Sequence, residues 1–279
     1  MDAAPTHLRV TADDLGLCEA VDDGIFEAFD RGIVTHVSML AAGPAFDHAV
    51  RGLRARPGLT AGLHVSFSEL APLEGRFAPS RFFKEGRFAS AFHVAAALAT
   101  GELGAAAIDA EVGAQAARLA GAGVVIEHLD GHQHVHLLPF IAPAAIRACQ
   151  RHGIGRVRVP IESAAPPTPP LAPIVTTARA ATITFASAPL GVQVLWAGLK
   201  TTGAFHGAWC SGQGSADRFR HVLAHLRPGE NELMCHPGHA PAGTDAPAYR
   251  LAWDEELRAL TAPEIFERLR AKSILLDRP

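Results

Sequence analysis

Three histidines at alternate positions, His132, His134 and His136, follow directly on Asp130-Gly131. On an extended chain, residues at i, i+2 and i+4 face one way, and on a helix the outer two share a face. Imidazoles gathered this closely suit a divalent metal, with the spare histidines supporting the ligands. A surface accident is the plain alternative. Two adjacent carboxylates, Asp13 and Asp14, end the β-like run 8–12, where they would equally serve to cap the next helix. His64 lies between apolar neighbours, a setting that a satisfied core histidine also fills. Arg158 stands inside the short run 156–160, and His236 precedes Pro237-Gly238, where a simple turn residue would fit as well.

Runs of β type recur at 8–12, 35–41, 62–67, 124–129, 156–160, 192–197, 232–235 and 273–276. Helical patterns fall at 19–31, 45–56, 108–120, 142–152, 215–226 and 262–270. This alternation predicts an α/β fold, a distorted (β/α) TIM-like barrel forming a single domain over 1–279. In such a barrel the C-terminal strand ends meet on one face. Nearly every polar residue named above sits at such an end, so segments over two hundred residues apart converge. Two stretches break the rhythm. Residues 70–92 read as a loop inserted over one end of the barrel, and the six prolines of 160–173 open a longer insertion reaching 214. Long ordered loops of this kind serve as lids, binding loops or plain surface insertions. Within the second, 203–214 reads as a flexible glycine-rich loop whose Trp209 either stacks on a sugar or is buried.

The chain has 279 residues, 48% of them hydrophobic and 19% charged, with formal net charge −3. That excludes a disordered chain and supplies no basic stripe for nucleic acid. No apolar run is long enough for a membrane span. The first ten residues lack a signal-peptide pattern and the four cysteines are isolated, which predicts a cytoplasmic protein. P-loop, G-x-S-x-G and C-x-x-C motifs are all missing from the sequence. Cys235 beside His236 is a poor thiol nucleophile, because strand neighbours point to opposite faces.

Taken in order, several segments resemble the YdjC-like carbohydrate deacetylase family: Thr11-Ala12-Asp13-Asp14-Leu15-Gly16-Leu17, Gly32-Ile33-Val34-Thr35, Gly43-Pro44-Ala45-Phe46, Gly62-Leu63-His64, the run from His128 to His136, and Met234-Cys235-His236-Pro237. The resemblance extends to about residue 238, leaves 166–214 unmatched, and departs at Leu15, where the family often has Phe. It implies a distorted barrel that binds one divalent metal ion and removes acetyl groups from N-acetylated amino sugars. Carried across, Asp14, His64 and His132 are the metal ligands, Asp13 the general base and His236 the general acid. His134 and His136 then support the site, with the choice of ligand among the three histidines open, and Arg158 holds Asp13 ionised. Zinc is favoured, with magnesium, manganese, cobalt and iron also compatible. A homodimer is compatible with the resemblance.

Two other readings stay open. One is a metal-dependent hydrolase of another bond, a phosphoester or cyclic amide; barrel amidohydrolases usually place H-x-H at the end of the first strand, which here ends in Asp13-Asp14. The other is a non-catalytic metal- or sugar-binding protein, which has no use for a proton-transfer pair. A chito-oligosaccharide, a monosaccharide derivative and an N-acetylglucosaminyl lipid all fit as substrate.

Overall fold

The structure is a computed structural model describing residues 4–74, 77, 80–163, 174–241 and 251–278. Its strands alternate apolar and polar residues, and that alternation shapes the core. Along β1 (Thr6–Leu15), Leu8, Val10 and Ala12 are fully buried and alternate with Arg9, Thr11 and Asp13, which are buried as well. The same alternation holds in β2 (His36–Met39) and β3 (Thr60–Val65), whereas β6 (Ile126–Gly131) breaks it at Glu127-His128 and β10 (Gly229–Cys235) ends in the apolar run Leu233-Met234-Cys235. One face of the sheet is therefore apolar, and the other carries charged and hydrogen-bonding groups that must satisfy one another.

The remaining strands of this sheet are β7 (Arg156–Val157), β8 (Lys200–Thr201), β9 (Ala204–His206) and β11 (Ile274–Leu276). The order runs β8-β7-β6-β3-β2-β1-β10-β9, with β11 pairing the start of β1, and every pairing is parallel. The sheet curls until its ends approach: Glu162, just beyond β7, bridges Phe205 of β9, and the Ser163 N–H donates to the Phe205 carbonyl at 2.8 Å. Helices α1 (Glu19–Asp30), α2 (Phe46–Arg54), α4 (Ala105–Gly121), α5 (Ile141–His152), α7 (Ala216–Ala224), α8 (Trp253–Thr261) and α9 (Pro263–Ala271) accompany the strands. The α/β barrel architecture expected from the alternation is thus present, as a curled and mostly parallel sheet.

A bulge in β6 faces Gly62: Ala61 pairs Ile126 while Leu63 pairs Leu129, so Glu127 and His128 together oppose one residue. A Cβ on Gly62 would lie 2.3 Å from His128 Nε2. Gly62→Ala is therefore expected to cost roughly 1–3 kcal/mol by overpacking, measured as a lower urea midpoint at unchanged slope. A midpoint equal to that of the parent protein would show that the ring can move freely.

Several local expectations differ from the structure. Residues 192–197 read as a strand from Val192-Gln193-Val194, yet they close the long helix α6 (Ile174–Trp196). There Leu190 and Val194 are buried four residues apart while Val192 is exposed, which is helical and not alternate burial. Helix α3 (Ala91–Thr100) and helix α8 were not anticipated. The stretch 160–214 contributes β8 and β9 to the sheet, and its supposedly flexible glycine loop is ordered as β9 and a 3-10 turn, Ala208–Cys210, with Trp209 fully buried. In 70–92, the described residues form the antiparallel pair β4 (Phe83–Lys84) and β5 (Arg87–Phe88), held by a cluster of Phe67, Phe77, Phe83 and Phe88 rings. The proline run 164–173 lies outside the described residues.

Candidate active site

Successive strand residues point to opposite faces, so Asp13 and Asp14 should not share a site. Two local features bring them together. The β1–β2 register shifts between Ala12 and Leu15, and Asp14 has φ 72, a left-handed conformation that Asp tolerates better than most residues. Both side chains consequently line one cleft. The turn beyond them is fixed by Asp22 on α1, whose Oδ1 accepts from the Gly16 N–H at 2.6 Å.

Asp14, His64 and His132 are all buried, and one ligand atom from each falls within 4.8 Å of the others. His132 Nδ1 lies 2.7 Å and His64 Nε2 3.3 Å from Asp14 Oδ1. One carboxylate oxygen and two imidazole nitrogens form a donor set suited to a borderline divalent cation. Behind each imidazole stands a second carboxylate: His64 Nδ1 contacts Asp130 Oδ1 at 2.6 Å, and His132 Nε2 faces Glu69 Oε2 at 3.5 Å. Such partners fix which ring nitrogen turns to a metal. His64 and Asp130 are register neighbours on β3 and β6, and Glu69 holds φ 64 just beyond β3. Burial opposes the Asp14 charge, but His132 and His64 hold its carboxyl well below the usual range. Burial likewise works against the His64 and His132 cations, yet the neighbouring aspartates raise them to about 10 and about 9.

Asp13, His64 and Asp130 also converge within the same distance, but a cation already occupies that corner. Arg158 is fully buried and forks onto Asp13 at 2.7 and 2.8 Å, with Asp130 Oδ2 2.7 Å from Nη1 and Glu232 Oε1 2.9 Å from Nη2. Ser38 donates to Asp130 Oδ2 at 2.7 Å, and Thr202 donates to Glu232. Of the two groups, the one around Asp14 is therefore the candidate place for a metal.

The histidine run does not face one way. It forms a 3-10 turn, His132–Leu137, in which Gln133 and His134 have φ 52 and 58. His132 is thereby turned to Asp14, His134 lines the cleft, and His136 is turned inward, where Nε2–H donates to the Arg158 carbonyl at 3.0 Å. Burial, helped by His136 and Arg158, keeps His134 well below the ordinary histidine range, and burial lowers His136 to about 4. His236 enters from the end of β10. Its N–H donates to Glu256 Oε2 at 2.6 Å, while Glu256 Oε1 accepts from the Gly214 N–H at 2.8 Å. Two residues on, Gly238 packs so tightly against α1 that a Cβ on Gly24 would lie 2.4 Å from its Cα.

Every residue expected at the site thus lines the cleft or supports it directly. Asp130, Ser38, Glu69, Glu232 and Glu256 were not foreseen in these positions. Alternation with Leu129 and Leu233 marks Asp130 and Glu232 as facing the polar interior; Glu69 and Glu256 act from a loop and from an unforeseen helix.

Buried titratable groups fix a pH dependence for folding. Burial lowers His36 to about 2 and His206 to about 4, and raises Asp22 to about 8. Below about 6.5 the unfolded histidines bind protons that His36, His134, His136 and His206 refuse, outnumbering the opposing buried carboxyls Asp22 and Glu256, so stability falls as pH falls. Above 6.5 the folded, metal-free protein keeps protons on Asp22, His64 and His132 that the unfolded chain releases, so stability falls as pH rises. Urea melts of metal-stripped protein are expected to give a maximum near pH 6.5, with slopes of about 1.4 kcal/mol per pH unit for each unmatched proton. Stability still rising from pH 6.5 to 8 would contradict this.

A curled parallel sheet with carboxylates and imidazoles massed at its C-terminal strand ends defines an α/β-barrel-type protein with a candidate catalytic cleft. The chain belongs to the YdjC-like protein family, whose sequence profile matches residues 7–271. A carbohydrate deacetylase of Homo sapiens is 33% identical, covering 97% of this chain and 89% of its own length. One from Geobacillus stearothermophilus is 27% identical over 98% and 96%. Among solved structures, an Enterococcus faecalis protein superposes with TM-score 0.74 at 21% identity, covering 98% and 97% of the two chains. A peptidoglycan N-acetylglucosamine deacetylase gives 0.50 at 12% identity, over 98% and 87%. The two structural likenesses speak for the fold.

Proposed function

We propose that this carbohydrate deacetylase removes the N-acetyl group of an N-acetylated amino sugar or oligosaccharide, using one divalent ion, zinc by preference, held by Asp14, His64 and His132. The observation that carries the reading is that this buried donor set lies beside an aspartate clamped by a buried arginine, with a histidine entering the same cleft from another strand. When bound there, the ion supplies a Lewis acid for the amide carbonyl and the attacking water.

The protein's own groups do the rest. Asp13, held in place by the Arg158 fork, accepts a proton from water as the new C–O bond forms. His236 faces the leaving side and protonates the amine nitrogen as the C–N bond breaks, releasing acetate and a free amino sugar. Asp130 and Glu69 keep the two imidazoles oriented, and His134, held neutral, offers a hydrogen bond to substrate without adding charge.

Acetate release from a panel of N-acetylated sugars, by metal-stripped protein and by protein reloaded with zinc or magnesium, tests the reading. Metal-dependent acetate from at least one sugar is expected. No acetate from any sugar with the metal shown to be bound would overturn it.

A further inference from the structure

The first turn of α8 is tied to two loops that reach the cleft. Trp253 and Glu256, the first and fourth residues of the helix, are both buried. Each oxygen of the Glu256 carboxyl holds one loop: Oε2 accepts from the His236 N–H at 2.6 Å, and Oε1 from the Gly214 N–H at 2.8 Å. Main-chain bonds repeat both connections. The Gly238 N–H donates to the Trp253 carbonyl at 3.3 Å, and the Ala252 N–H donates to the Gly212 carbonyl at 2.9 Å. His236, Ser211 and Leu251 all line the cleft, so one helical turn anchors three residues of its lining.

A buried carboxyl is costly unless its acceptors are used. Burial pushes the Glu256 carboxyl up, while the facing His236 and the two N–H groups pull it down. Two N–H groups on separate loops require two oxygens in a fixed fork, which no neutral side chain of this length offers. The His236 ring shows why the main-chain bond matters. His64 Nδ1 rests on Asp130 and His132 Nδ1 on Asp14. His236 Nδ1, by contrast, is buried with no hydrogen-bond partner among the described residues. The place of this imidazole is therefore set through its own backbone, and Glu256 grips that backbone at the residue itself. A misplacement of about 1 Å at a reacting group can cost roughly 10² in rate.

We propose that Glu256 is a positioning residue that sets His236 where it can protonate the departing amine; the role rests on the reading of His236 as the acid. Glu256→Gln tests it, because the amide keeps the length but has one oxygen, and its NH2 meets an N–H donor at the other loop. In metal-loaded protein, kcat for an N-acetyl sugar is expected to fall by about tenfold to a hundredfold, with KM within about twofold of the parent. Hydrolysis of p-nitrophenyl acetate, whose leaving group departs without a proton, should stay within about twofold. A structural role alone would lower both substrates together. In a His236→Ala background the same substitution should cost less than about twofold, since the group it positions is gone. Glu256→Asp keeps both oxygens on a shorter arm, is expected to show the same split between substrates, and carries the test should the Gln variant not fold. Equal losses on the two substrates, or an undiminished loss in the His236→Ala background, overturn the inference. Absence of metal-dependent acetate from the parent protein is a separate failure, which removes the deacetylase reading and this role with it.

Discussion

Arg158→Met is expected to destabilise the protein by about 3–5 kcal/mol at neutral pH, more than any other single side-chain change at the site. Arg158 is fully buried and faces three carboxylates, Asp13, Asp130 and Glu232, each within 3 Å. A methionine fills much of the volume but removes the cation that all three charges share, leaving Asp130 with His64 and Ser38 and Glu232 with the Thr202 hydroxyl. In the parent, burial would raise Asp130 and Glu232, but Arg158, with His64 beside Asp130, holds both carboxyls below their ordinary values. Their stabilising contribution is therefore present above the unfolded carboxyl pKa and lost as pH falls through the folded one. Without Arg158 the same groups are pushed upward by burial and become neutral as pH falls. The difference between parent and variant should accordingly be largest near pH 7.5 and shrink toward pH 5. Urea melts at both values measure it, and a gap below about 1 kcal/mol at pH 7.5 would mean that the three carboxylates find other partners. Arg158→Lys should lie between the two, because an ammonium cannot reproduce the fork onto Asp13.

The polar interior explains how much of this protein was readable in advance. Hydrophobic alternation in the strands and helical periodicity between them were enough for the α/β barrel, and the C-terminal strand ends were enough to gather Asp13, His64, His132, Arg158 and His236. The same alternation held more than was taken from it: Leu8-Arg9-Val10, His128-Leu129-Asp130 and Glu232-Leu233 each put a charged or imidazole side chain between or beside core residues, which marks an interior face built of ion pairs. What spacing alone could not deliver was backbone geometry. The left-handed φ at Asp14, Gln133 and His134 overrides the period-two rule that made the histidine cluster look one-sided. Glu69 and Glu256 act through positions fixed by tertiary packing, and Glu256 lies on a helix unmarked by any strong cap. The misread strand at 192–197 is of the same kind. Val-Gln-Val favours a strand locally, but the buried Ile183-to-Val194 side of α6 packs as a helix, and tertiary packing decides.

Asp13→Asn is expected to lower kcat by roughly 10²–10⁴ while leaving metal affinity within a few-fold of the parent. The amide keeps the shape and one of the two acceptors that Arg158 grips, and Arg158 retains Asp130 and Glu232, so the fold and the cleft persist, but the group no longer gains a proton from water. Metal affinity should hold because Asp13 lies on the Arg158 side of the site and not among Asp14, His64 and His132. Asp14→Asn should show the opposite split, with metal affinity falling first and activity returning in part at high metal concentration. His236→Ala completes the comparison. If His236 serves only to protonate the leaving amine, its loss should be severe with an N-acetyl sugar and mild with p-nitrophenyl acetate, whose leaving group departs without a proton. Asp13→Asn gains no such relief, because water must be activated for either substrate. Equal losses for the two variants on both substrates would show that Asp13 and His236 do not divide base and acid work, and full activity of metal-loaded Asp13→Asn would move the base to another group in the cleft.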